Sequence, residues 1–206
     1  MEVILLGKML VKQIINHIYY SNTFILYTEK HKEAWIIDIG DTNKILDWID
    51  THDKILRGVL LTHTHFDHIY GLNELLLYYP DIPVFTSSEG KEGLYSDKLN
   101  FSKYHYKPFI FKGSNIICVG EEDVISLWPG INAIVLKTPG HDWSCLSYEI
   151  GESIFTGDAY IPGLKVVTSF PKSNKRDAHI SVVRIMNRNH IKMIYPGHGN
   201  LFLKKQ

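Results

Sequence analysis

The residues best suited to chemistry lie in one short segment, His63–His68, which contains three histidines and an aspartate. Imidazole nitrogens and carboxylate oxygens are ligands that zinc, iron and manganese take in proteins. In an extended segment alternate side chains share a side, so His63 and His65 can converge on one ion. Asp67 and His68 follow a bend in the chain and can reach a second ion close by. The segment therefore predicts a metal site rather than a surface histidine cluster.

Three further candidate ligands occur downstream in matching settings. His141, Asp158 and His198 each follow a predicted strand and lie beside a glycine, which lets the backbone turn at a sheet edge. Taken singly, each would be an ordinary loop residue. Taken with the first segment, they complete two four-ligand sets if Asp158 is shared by both ions.

Apolar and β-branched runs that precede these segments predict the elements that position them. Helical patterns fall between some of the strands, which favours an α/β protein with helix–sheet–sheet–helix layers over a regular alternation of strand and helix. The predicted strands are 3–6, 24–27, 35–39, 58–61, 84–86, 116–119, 134–137, 146–150, 153–155 and 192–195. The predicted helices are 42–51, 72–79, 87–95 and 177–189.

Composition excludes several classes of function. The 206 residues are 45% hydrophobic, which suits a single domain over 1–206 with a real core. Twenty-two basic residues balance 22 acidic ones, so we expect no nucleic-acid partner. No apolar run is long enough for a membrane span, and the first residues do not resemble a signal peptide. Two cysteines exclude a disulfide framework, so a cytoplasmic location is expected.

The ordered motifs HxHxDH (63–68), TPGH (138–141), TGD (156–158) and PGHG (196–199) resemble the metallo-β-lactamase superfamily. Residues 21–26 and 36–41 are also similar to the first strands of that family. The resemblance covers nearly the whole chain and implies a four-layered αββα sandwich with the metals at one edge of the sheets. It also implies two metal sites that share one bridging carboxylate. One ion would be bound by His63, His65 and His141, the other by Asp67, His68 and His198, and Asp158 would bridge.

Such a site implies hydrolysis, because two cations about 3.5–4 Å apart can share a hydroxide that attacks an electrophilic centre. Asp67 and Asp158 would be the catalytic carboxylates, with Asp67 orienting the nucleophile or taking its proton. We expect Asp38 to have a supporting role. Zinc is the default cofactor for these ligands, although iron and manganese fit them as well.

Within the family, Asp158 together with TPGH and PGHG looks most like the glyoxalase II branch, the hydroxyacylglutathione hydrolases that cleave thioesters. The sequence ends eight residues after His198, so the C-terminal glutathione-binding domain of that enzyme is not expected. Lactonases and mononuclear iron persulfide dioxygenases remain alternatives. A β-lactamase, a nuclease and a non-catalytic binding module are weaker ones, since β-lactamases have Cys or Ser at the place of Asp158.

The substrate contacts are weakly marked. Lys165 and Tyr160 follow the bridging Asp158 and could bind a carboxylate or an oxyanion, or be a solvated lysine and a packed tyrosine. Tyr104 and Tyr106 lie in an aromatic loop at 98–112, which would form a pocket wall or simply cover a sheet face. The expected partner is a small-molecule substrate, and the expected state is a monomer or a homodimer.

Overall fold

The computed structural model describes residues 8–204, so the strand predicted at 3–6 lies outside the described residues. The elements follow in chain order: β1 (Leu10–Ile15), β2 (Asn22–Tyr27), β3 (Glu33–Ile37), α1 (Thr42–Thr51), β4 (Ile55–Leu60), α2 (Leu72–Leu75), β5 (Val84–Thr86), α3 (Ser88–Leu94), β6 (Ile116–Cys118), β7 (Val124–Trp128), β8 (Ile131–Lys137), β9 (Leu146–Ile150), β10 (Ser153–Gly157), α4 (Lys175–Met186), β11 (Met193–Pro196) and β12 (Phe202–Leu203).

These strands form two six-stranded mixed sheets. The first has the order β1-β2-β3-β4-β5-β6, and the second has the order β12-β11-β10-β9-β8-β7. Strands β3, β4, β5 and β6 run parallel, and so do β10 and β11, whereas the other neighbours are antiparallel. Parallel neighbours bring their carboxyl ends to one edge of a sheet, and all the candidate ligands except His141, which follows the antiparallel β8, come after such ends.

Side-chain alternation along the strands explains the layers. In β2, Ile25 packs into the core on the helix side, while Leu26 packs into the core between the sheets. Buried residues of α1, α2 and α3 join the first core, and Ile185 of α4 joins a third core with Ile154 of β10. The order is therefore helix, sheet, sheet, helix, which confirms the predicted αββα sandwich.

All thirteen predicted elements that fall within residues 8–204 overlap elements of the structure, but several boundaries differ, including those of two helices. Helix α2 ends at Leu75 rather than at residue 79, because Leu77 and Tyr78 form tighter turns through bonds to carbonyls three residues back. Helix α4 starts earlier than predicted, at Lys175, because the side chain of Asn174 accepts backbone N–H groups at the helix start. Among residues 8–204 no helix is long and apolar enough to cross a membrane.

Candidate metal centre

The structure brings all seven predicted ligands to one edge of the two sheets. The loop after β4 supplies four of them, including a short 3₁₀ turn over Phe66–His68. The loops after β8, β10 and β11 supply the other three. Three groups of described residues can each hold an ion with ligand atoms within 4.8 Å of one another; one joins Asp38 to His63 and His68, and the other two match the prediction. The members of these two groups are His63, His65 and His141 in one, and Asp67, His68 and His198 in the other.

Asp158 lies between the two groups. Its Oδ2 is 3.4 Å from Nε2 of His141 and 3.5 Å from Nε2 of His198. Its Oδ1 is 3.6 Å from Nε2 of His68 and has no hydrogen-bond partner among the described residues, although it is buried. A carboxylate that faces both groups has the placement that a bridging ligand needs. A Cβ at Gly197 would lie 2.2 Å from Asp158 Oδ1, so a glycine is required there.

Each of the five ligand histidines is oriented by a second contact at its outer ring nitrogen. Nδ1 of His141 donates to the carbonyl of Val167 at 3.0 Å, and Nδ1 of His198 donates to the carbonyl of Tyr19 at 3.1 Å. Because a carbonyl only accepts, these bonds fix the tautomer and turn Nε2 of each ring towards the centre. Contacts of this kind orient the ligands of metal sites.

Asp38 orients two more of the rings. Its Oδ2 accepts from Nδ1 of His68 at 2.9 Å and from the hydroxyl of Thr62 at 2.7 Å, and Oδ1 accepts from the Thr62 N–H. The Thr62 hydroxyl lies 3.1 Å from Nδ1 of His63, so it can accept from that ring. Asp38 follows β3 with a φ of 55°, a strained conformation that places its carboxylate behind the site. The expected supporting role of Asp38 agrees with this geometry.

Asp142 lies behind the fifth ring, that of His65. The sequence analysis did not predict this orienting role for Asp142. Its Oδ1 accepts from the backbone and the hydroxyl of Ser144, while its Oδ2 faces Nε2 of His65 at 3.5 Å. Neither Oδ2 nor this Nε2 has a hydrogen-bond partner among the described residues, and both are buried. Nδ1 of His65 consequently points inward, 3.0 Å from Nε2 of His141. The position of Asp142 directly after a ligand histidine was the available signal.

The electrostatics of the centre attract positive charge. Burial alone would raise the pKa of Asp158, but the hydrogen bond with His198 and the charge of His68 lower it well below its usual value. Burial alone would lower the pKa of His68, but the carboxylates of Asp67 and Asp38 outweigh burial and raise it to about 9. Burial and the neighbouring His68 and His65 lower the pKa of His63 far below its usual value, which keeps this ring neutral. Ionised carboxylates and a neutral imidazole are the forms that bind metal.

The donor set therefore fits divalent ions. Nε2 of His63 and Oδ1 of Asp158 are buried and face the other candidate ligands. Neither atom has a hydrogen-bond partner among residues 8–204. Buried polar atoms without partners are costly, and a metal ion would satisfy them. A mixed set of nitrogen and carboxylate donors suits zinc, iron or manganese.

Two predicted substrate contacts, Lys165 and Tyr160, line the same cavity. This cavity of about 350 Å³ lies between the loop after β10 and helix α4, and its lining includes none of the seven ligand residues. Tyr104 and Tyr106 project from the aromatic loop and are 80% and 97% exposed. Tyr106 lines a cleft of about 980 Å³ beside α1. The role of these four side chains as substrate contacts stays a prediction.

Comparisons with known proteins agree with this geometry. Over residues 20–198 the chain matches the model of the metallo-beta-lactamase superfamily. It is 31% identical to a "Probable metallo-hydrolase" of Streptococcus pyogenes, over 93% of this chain and 84% of that protein. It is 27% identical to a hydroxyacylglutathione hydrolase of Pseudoalteromonas translucida, over 70% of this chain, and spans 49% of that enzyme's length.

The fold is likewise shared with solved structures. The crystal structure of the BLEG-1 B3 metallo-beta-lactamase superposes with a TM-score of 0.84 at 24% identity and covers 94% of each chain. At this identity the superposition shows a common fold and gives no information about the substrate. The family match, in contrast, spans the segments that hold all seven candidate ligands. The chain therefore belongs to the metallo-beta-lactamase superfamily.

Proposed function

We propose that this chain is a hydrolase that uses two divalent metal ions to cleave a small thioester or ester. The observation that carries the proposal is Asp158, whose two oxygens lie 3.4–3.6 Å from ligand nitrogens of both groups. One carboxylate in contact with both groups suits two adjacent ions better than one. The match to hydroxyacylglutathione hydrolases supports a thioester as substrate, although the chain spans about half of their length.

When bound, such ions lower the pKa of water and polarise a carbonyl oxygen, with zinc as the default metal. The side chains of the protein supply the proton acceptor and orient the ligand rings. Burial would raise the pKa of Asp67, but His68 and the hydrogen bond with His198 lower it, so Asp67 is a carboxylate. It can therefore accept a proton from the attacking water. The hydrogen bond that Asp38 accepts from His68 holds that ring in place before the substrate binds, and the Asp142 carboxylate faces His65 at 3.5 Å.

The test is turnover by metal-loaded protein on a panel of thioesters and lactones. We expect hydrolysis by the wild type, and a loss of at least 100-fold in kcat/KM in Asp158→Ala and in His65→Ala. The matched control is His52→Ala, whose ring stacks on Trp48 outside the site and whose loss should leave turnover unchanged. Circular dichroism would show whether each variant folds.

Two outcomes would contradict the proposal. Turnover that persists in both ligand variants would show that the centre is not the catalytic site. Oxygen uptake with a persulfide, without hydrolysis of any ester, would instead support a dioxygenase.

We also propose a small-molecule substrate, a monomer or homodimer, and a cytoplasmic location. The location is supported by two cysteines that are both free thiols, since disulfides are rare in reducing compartments.

A further inference from the structure

Bulky residues with left-handed backbone conformation surround the metal centre. Tyr19, Tyr20, Asp38 and Phe101 have positive φ values, which are costly for side chains with a Cβ. Asp38 is explained by its bonds to Thr62 and His68. Phe101, with φ 62° and ψ 4°, makes no such bond, so its conformation requires another explanation.

The neighbouring backbone holds Phe101 in this conformation. The side-chain amide of Asn100 donates to the carbonyls of Gly93 and Phe109, and its oxygen accepts from the N–H of Ser102. The carbonyl of Asn100 also accepts from the N–H of Phe66, within the ligand loop. These bonds hold the backbone on both sides of Phe101, so its left-handed conformation is sustained.

The ring of Phe101 is directed at the metal centre. Its centroid lies 4.9 Å from that of His65 and 5.1 Å from that of Phe170, which comes from the loop before α4. The Phe170 ring in turn lies 5.1 Å from His65 and 5.5 Å from His141. The two phenylalanines therefore form one apolar wall, the Phe101–Phe170 wall, against two metal-binding rings.

This wall is not part of the hydrophobic core. Phe109 and Phe111, from the same aromatic loop as Phe101, are buried in the core on the helix side. Phe101 and Phe170 belong to none of the three core clusters, and Phe170 remains 37% exposed. Phe109 and Phe111 thus serve to cover a sheet face. Phe101 and Phe170 instead offer apolar surface at the mouth of the site.

The His198 side of the centre has polar contacts. The carbonyl of Tyr19 binds His198, and the hydroxyl of Tyr19 lies 3.2 Å from Nε2 of His105. A substrate whose scissile carbonyl lies at the ligands can therefore place a polar leaving group on the His198 side. Its acyl group would then lie against the phenylalanines, where an aromatic group gains edge-to-face contacts.

We infer that the Phe101–Phe170 wall is the acyl-binding subsite, and that it selects thioesters or esters with a flat, apolar acyl group over those with a small aliphatic one. The inference rests on the proposed function. The step is ordinary hydrolysis, in which water adds across the acyl–sulfur bond to give a carboxylic acid and a thiol. The subsite contributes affinity and orientation, and the metal centre performs the chemistry.

The test compares acetyl and phenylacetyl thioesters of one thiol, N-acetylcysteamine, with metal-loaded protein. We expect the wild type to favour the phenylacetyl substrate by about tenfold or more in kcat/KM. Phe101→Asn and Phe170→Ala should bring that ratio close to one, because each lowers kcat/KM for the phenylacetyl substrate more than for the acetyl substrate. Asparagine tolerates left-handed backbone, so Phe101→Asn removes the ring without adding strain. Phe202→Ala in β12, an exposed residue away from the site, is the control.

A binding measurement separates this inference from the proposed function. Phenylacetate, the acid product, should bind the wild type at least tenfold more tightly than acetate in calorimetry, and Phe101→Asn should remove the difference. If no ester is cleaved but this pattern appears, the subsite stands and the hydrolase proposal fails. Equal kcat/KM for the two thioesters in the wild type, or a preference unchanged in both variants, would overturn the subsite. So would equal binding of phenylacetate and acetate.

Discussion

Replacing Asp142 by asparagine tests how the protein holds His65, a candidate metal ligand. The Oδ1 atom of Asp142 accepts two bonds from Ser144, so the oxygen of an asparagine would keep that position. In the wild type, Oδ2 of Asp142 lies 3.5 Å from Nε2 of His65. In the variant, the amide nitrogen would take the place of Oδ2 and face that Nε2. With Nδ1 of His65 turned towards the metal, Nε2 carries the proton, and two donors would oppose each other.

The expected loss follows from this geometry. Removing a partner behind a ligand histidine commonly costs about 10–100-fold in metal affinity, or about 1.4–2.8 kcal/mol. Only the group of His63, His65 and His141 contains the affected ring. We therefore expect Asp142→Asn to weaken one of two metal-binding steps and to leave the step at Asp67, His68 and His198 within threefold of the wild type.

The assay is competition for zinc against a chromophoric chelator at fixed pH, fitted to two sites. The matched control is Asp47→Asn, which removes one exposed carboxylate from α1 far from the ligands along the chain. A thermal melt by circular dichroism would show that the variant folds. Affinity within twofold of the wild type at both sites would refute the role of Asp142, and equal weakening of both sites would refute its assignment to one group.

Three further predictions address the centre and the scaffold. Stripping the protein with a chelator should lower Tm by about 5–10 °C, because ions at 100 times Kd stabilise by about 2.7 kcal/mol, and an unchanged Tm would contradict bound metal. Gly197→Ala should abolish metal binding, since its Cβ would meet Asp158 Oδ1 at 2.2 Å, whereas Gly120→Ala, with no contact under 3.7 Å, should not. Burial raises the pKa of Asp41, but hydrogen bonds with Lys44 and Tyr70 outweigh burial and lower it to about 2. The ionised form therefore contributes about 1–2 kcal/mol above pH 4, and this is lost as the pH falls towards 2. The difference in the free energy of unfolding between wild type and Asp41→Asn should accordingly shrink from pH 5 to pH 3 in urea titrations. A constant difference would contradict a lowered pKa of Asp41 in the folded protein.

The fold was largely predictable because most strands are apolar runs next to glycine or proline turns. Three strands were missed, and the last of them, β12, has only two residues, both exposed. The other two were missed for physical reasons. β1 lies at a sheet edge and mixes Lys12 and Gln13 with apolar residues, so its composition is not that of a buried strand. β7 alternates exposed and buried residues, a pattern that is weak in a strand of five residues. The end of α2 depended on a change from helical to tighter turns that the sequence pattern does not show.

The candidate ligands were predictable because metal chemistry restricts both residue type and spacing. The residues that orient them were harder to find. Val167 and Tyr19 act through backbone carbonyls, which leave no trace in residue type. Phe101 and Phe170 are 69 positions apart and meet only through the fold. The candidate substrate contacts Lys165 and Tyr106 were proposed from their nearness in sequence to other features. They line two different cavities, and their contact with a substrate stays a prediction.

Metal content per chain tests the central claim most directly. The protein would be purified without chelator and analysed by inductively coupled plasma mass spectrometry, before and after reconstitution with zinc. The account predicts about two equivalents of divalent metal per chain, falling to one or fewer in Asp158→Ala. One equivalent of iron with little else would contradict the two-ion centre, and no bound metal after reconstitution would contradict the whole assignment of ligands.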